Sequence, residues 1–116
     1  MKYPERVTDY FFAPHHAGTL TGENIVRAKI GDPMLGDVIQ LDLHLIENTV
    51  KTARFKALGD PYTIASVEWL CCQCEGLSLE KLLQLDLSAL ELPTHKQYLY
   101  VLLRNCLHFI TEVPIS

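Results

Sequence analysis

The sequence predicts a small α+β fold, a three-stranded antiparallel meander with one helix before it and several helices packed on it after it. Three observations carry this. Residues 36–46 alternate apolar and polar with a period of two, the period becomes helical after Gly59, and 116 residues suffice for one hydrophobic core but not two. A single domain spanning 1–116 is therefore expected.

Each element follows from local signals. Val7, Tyr10 and Phe11 recur at helical spacing over residues 3–12, which predicts an opening helix ended before Pro14. Gly18 and Gly22 then supply turns in a loop, and residues 25–30 form a first strand. Over 36–46, Ile39, Leu41, Leu43 and Leu45 alternate with Gln40, Asp42 and His44, so one face is buried and the polar one wet. Glu47 and Asn48 turn the chain, and Ala53, Phe55 and Ala57 share one face of the strand over 50–58. Asp60-Pro61 is an N-cap followed by proline at the first helical position, opening a helix that runs to about Glu75 and stops at Gly76. Ser78 opens a short helix to Leu83, and residues 86–90 add a further turn before Leu92-Pro93 breaks it. Thr94 with Gln97 three residues on reads as a capping box. The last helix carries Tyr98, Val101, Leu102, Asn105, Cys106, Phe109 and Ile110 on a broad apolar side and ends near Pro114.

An apolar fraction of 48% with 21% charged residues is that of a globular chain. The net charge of −4, without a basic stripe, argues against nucleic-acid or anionic-membrane binding. Charges interrupt every apolar run before membrane-spanning length, and Pro4 and Glu5 leave no targeting segment at the start, so a cytoplasmic protein is expected. Of the four cysteines, Cys71, Cys72 and Cys74 fall within four positions, a poor disulfide framework; reduced thiols are expected.

Several segments carry a family pattern in order. They are Val7-Thr8-Asp9-Tyr10 with Pro14, Gly18 and Leu20; Pro33-Met34-Leu35-Gly36-Asp37-Val38; Ala53-Arg54-Phe55-Lys56; Gly59-Asp60-Pro61 with Ile64-Ala65-Ser66; and Leu92-Pro93-Thr94-His95-Lys96. Together they resemble the NifU/IscU-type iron–sulfur cluster assembly scaffolds over nearly the whole chain. The resemblance implies a site of three cysteines and a histidine that bind iron or zinc, thiolates being soft ligands that bridge iron well. Here the matching positions hold Leu35, Asp60 and the pair Tyr98-Leu99, and only the acidic neighbour Asp37 agrees. Leu35 and Leu99 have no donor atom. No cluster or zinc is expected at these positions, and the chain reads as a degenerate member of the family.

Asp60 is read first as a helix cap; the metal reading would instead pair it with Asp37 as hard oxygen ligands. Cys71 and Cys74 are the relocated-ligand alternative for an iron–sulfur cluster or zinc, but they continue a stripe with Ile64 and Val67, where cysteine packs as a small hydrophobe. His15 and His16 read as solvated loop residues, and His44 and His108 as incidental. No phosphate loop, nucleophile elbow or carboxylate pair marks an enzyme. Leu92, Pro93 and Lys96 match the segment through which the resemblance implies recognition by an Hsp70-type chaperone. The function expected is that of an accessory or regulatory partner-binding protein, with cysteine desulfurase, the chaperone or an authentic scaffold as partners.

Overall fold

The computed structural model describes residues 5–32, 34 and 36–112. Helix α1 (Glu5–Phe12) leads through a loop into strands β1 (Ile25–Asp32), β2 (Asp37–Ile46) and β3 (Thr49–Leu58), which pair antiparallel in the order β1-β2-β3. Helix α2 (Pro61–Cys74), the short α3 (Leu79–Leu82), two 3-10 turns (Leu87–Leu90 and Thr94–Lys96) and helix α4 (Tyr98–Glu112) follow. No described helix is long and apolar enough to cross a membrane.

The alternation of the strands sets their register. Ala28 faces Leu41, which faces Phe55, and Val26 faces Leu43, which faces Ala53. All six are buried, so each row extends one core surface across the sheet. Glu47 and Asn48 both take positive φ, as a two-residue hairpin turn of matching twist requires. Gly76, at φ +91°, supplies the left-handed conformation that follows the end of α2.

On the core face, α2 packs between α1 and β3, and α4 lies over β1. Cys71, Cys74 and Val67 enter the main core with Cys106, as the stripe predicts. A smaller cluster joins Val7, Tyr62, Ala65, Leu92 and Leu99 where α1, α2 and the start of α4 meet.

Four local expectations are corrected. The buried stripe of α4 is Leu99, Leu103, Cys106, Leu107 and Ile110, whereas Tyr98, Val101, Asn105 and Phe109 are exposed. That helix is apolar on nearly every side, so spacing alone fits more than one stripe. Thr94 caps nothing: Pro93 precedes the 3-10 turn, no side chain caps it, and α4 begins only at Tyr98. Asp42, on the polar side of β2, is wholly buried because the loop after α1 crosses that face. There Leu20 N–H and the Arg27 guanidinium both donate to its carboxylate. His16, expected in solvent, is held against α2 by the same loop. Phe55 N–H donates to His16 O, and Gly18 N–H donates to Phe55 O, pinning the loop to the free edge of β3.

Candidate functional site

Asp37 opens β2, Asp60 precedes α2, and Tyr98 and Leu99 begin α4, so four of the residues singled out by the family pattern converge where these elements meet. Leu35, the remaining position, lies outside the described residues, as does Pro33.

Asp60 is the N-cap of α2. Its Oδ1 accepts the Thr63 N–H at 3.1 Å, satisfying one of the donors a helix leaves free, and Pro61 occupies the first helical turn, where a missing N–H costs nothing. The cap predicted from the sequence is thus present. Its Oδ2 lies 2.6 Å from the Lys96 ammonium. Thr63, buried behind it, donates its hydroxyl to Asp37 Oδ1 at 2.6 Å and lies 3.3 Å from Asp60 Oδ1. Tyr98 donates its hydroxyl to Asp37 Oδ2 in a short hydrogen bond and accepts from Lys96 Nζ at 3.0 Å. Asp37, Thr63, Asp60, Lys96 and Tyr98 form one closed network.

Its electrostatics follow from these contacts. Burial pushes the Asp60 carboxyl upward, but the Lys96 ammonium and the Thr63 N–H outweigh it and hold the group below the usual carboxylate range. Burial works against the Lys96 charge, yet Asp60 and Tyr98 keep its ammonium well above its ordinary value. Burial and the Asp37 carboxylate raise the Tyr98 phenol above its ordinary value, outweighing the downward pull of Lys96. Beside the network lies an open depression of about 570 Å³ lined by Gly31, Asp32, Asp37, Tyr98 and Leu102.

Leu99 is fully buried and packs with Leu92, Tyr62 and Val7. Of the segment matching the chaperone motif, Leu92 is buried and Lys96 turns inward onto Asp60; Pro93 is half-buried, and Thr94 and His95 are exposed. Cys71 and Cys74 are buried among apolar side chains, and burial pushes the Cys74 thiol up to about 12 and that of Cys71 well above its ordinary range. Glu68, which no sequence motif marks, is wholly buried and paired with His16. Its signal was a charge in the middle of an otherwise apolar helix, since a buried carboxylate requires a partner.

Comparison with known proteins gives a consistent result. The NifU-like N terminal domain model matches residues 2–102. An iron-sulfur cluster assembly scaffold protein IscU from Haemophilus influenzae is 33% identical over 84 residues, covering 70% of this chain and 67% of that protein. An iron-sulfur cluster assembly protein IscU from Plasmodium falciparum is 31% identical over 85 residues, 72% of this chain and 52% of that one. The chain thus spans between half and two thirds of these curated relatives. Among solved structures, a putative iron-sulfur cluster assembly scaffold protein for the SUF system from Fervidobacterium islandicum superposes with a TM-score of 0.76 at 14% identity, covering 95% of this chain and 96% of that one. At that identity it shows the fold alone.

Proposed function

Because the chain belongs to the NifU-like N-terminal domain family, we propose that it serves iron–sulfur cluster assembly as an accessory, partner-binding protein and not as the scaffold that holds the cluster. One observation carries this reading, the closed network at the family position. All four carboxylate oxygens of Asp37 and Asp60 already accept hydrogen bonds or an ion pair from Thr63, Tyr98 and Lys96. A dication there would have to displace the Lys96 ammonium and would find hard oxygens in place of thiolates, while Leu99 offers no donor. The protein performs no catalytic step in this reading. It presents the fold to proteins that dock on scaffolds.

The partners that fit are a cysteine desulfurase, an Hsp70-type chaperone and an authentic cluster scaffold. The segment over 92–96 supports the chaperone contact in a particular way. Leu92 and Lys96 hold it in place from within, and Pro93, Thr94 and His95 present its outer side.

Titration of the purified protein with each of these three proteins from the same host tests the reading. Saturable binding to at least one is expected, weakened by substitution of Thr94 and His95 together. Absence of binding to all three refutes the accessory role. Reconstitution with ferrous iron and sulfide is expected to leave no cluster here; a cluster lost on changing Asp37 and Asp60 to Ala would overturn that part.

A further inference from the structure

On the far side of α2 from the network, His16, Glu68 and Cys72 bring an imidazole nitrogen, a carboxylate oxygen and a sulfur within 4.8 Å of one another. We propose that these three side chains bind a divalent transition-metal ion of the zinc class. The inference goes beyond the partner-binding reading and stands or falls separately from it.

Glu68 and Cys72 sit four residues apart on α2, so they share one helix face, with Cys72 Sγ 3.3 Å from Glu68 Oε2. His16 reaches them from the loop after α1. Its backbone N–H donates to Glu68 Oε1 at 2.8 Å, and its Nδ1 lies 2.6 Å from Glu68 Oε2 and 3.9 Å from Cys72 Sγ. Bonds of about 2.0–2.3 Å to a tetrahedral zinc place ligand atoms roughly 3.3–3.6 Å apart. The two distances to sulfur are therefore close to what a metal needs, and only the nitrogen–oxygen contact has to widen.

The surroundings are arranged as those of a metal ligand. Nε2 of His16 lies 2.9 Å from Glu75 Oε1, so the imidazole is oriented from its far side by a carboxylate, the usual support of a metal-bound histidine. Glu75 is itself fixed, since its other oxygen accepts the Ala53 N–H at 2.9 Å and lies 3.5 Å from Arg54 Nη1. With one proton on Nε2 facing Glu75, the short contact between Nδ1 and Glu68 requires a second proton between two acceptors. A bound dication replaces that proton and the thiol proton: M²⁺ enters, two H⁺ leave, and the charge of the cluster is unchanged. Glu68 is wholly buried whereas Cys72 is exposed, which supplies a fixed charge inside and a path from solvent. Nitrogen and sulfur donors disfavour magnesium and calcium, and three protein ligands leave a fourth position for water or an exchangeable ligand. Among the described residues no other such group of three occurs.

Cobalt(II) titration of the chelator-treated protein provides the test. One equivalent is expected to bind and to give a thiolate-to-cobalt charge-transfer band, displaced by zinc. Cys72→Ser, a change at an exposed position, is expected to abolish the band, and His16→Gln to weaken binding tenfold or more. Asp60→Asn, at the family position, is expected to leave the band unchanged. No band in the unmodified protein, or a band that survives in Cys72→Ser, would overturn the site. Should His16→Gln not fold, the Cys72→Ser result decides alone.

Discussion

Lys96 places its ammonium 2.6 Å from Asp60 Oδ2, tying the turn before α4 to the first residue of the α2 cap. The same carboxylate receives Thr63 N–H on its other oxygen, so one side chain both caps a helix and joins it to the C-terminal part of the fold. A thiol at this position would make a weaker cap and form no such ion pair.

The two roles separate by substitution. Asp60→Ala removes both and is expected to lower stability by about 1–2 kcal/mol in urea unfolding. Asp60→Asn keeps an acceptor for the cap and loses only the ion pair, which is partly exposed, so a loss below about 1 kcal/mol is expected. Equal losses would show that the cap contributes nothing separable.

The cap and the strands were legible because their determinants are local. Asp60-Pro61 announces a helix start, and the alternation over 36–46 announces a strand with a buried face, whatever surrounds them. The partners of Asp42 and His16 were not legible, since both depend on where the loop between α1 and β1 lies in space. A polar residue on the outer side of a strand looks solvated until a distant segment covers it. The stripe of α4 is illegible for a related reason: with apolar residues on most sides, only the elements packed against the helix select it, the sheet-side core for Leu103 and Leu107 and helices α1 and α2 for Leu99. Lys96 matches a motif for an external partner, yet its internal partner, Asp60, is 36 positions away in the chain.

Tyr98 joins α4 to β2 through Asp37. Tyr98→Phe keeps the ring and removes the hydroxyl, leaving one oxygen of a largely buried carboxylate without its donor. A loss of about 1–3 kcal/mol is expected. Asp37→Asn in the Tyr98→Phe background should cost less than in the unmodified protein, and a double-mutant cycle in chemical denaturation measures the difference.

Gly59 is required by close packing and not by backbone conformation. A Cβ there would lie 2.6 Å from Asp37 Oδ1 and 2.7 Å from the Thr63 Cβ. Gly59→Ala is therefore expected to push Asp37 away from Thr63 and to destabilise the protein by about 1–3 kcal/mol, read from the urea midpoint. An unchanged midpoint would mean that the network shifts without loss.

Asp42 sets the acid limit on the sheet's outer face. Burial raises its carboxyl, but Arg27 and the Leu20 N–H outweigh burial and hold it below the ordinary 3.8. A group with a depressed folded pKa stabilises fully above its unfolded value and loses that contribution as pH falls through the folded one, because the unfolded chain then takes up the proton first. Asp42→Asn removes the charge at every pH and replaces one of the two accepting oxygens with an NH2 group, so Leu20 N–H and the Arg27 guanidinium can no longer both be satisfied, for a loss of about 1–3 kcal/mol near neutrality. The stability difference between the two proteins should stay constant from neutral pH down to about 4 and shrink below it. A difference that persists unchanged at lower pH would assign the effect of Asp42 to packing instead of its ion pair with Arg27.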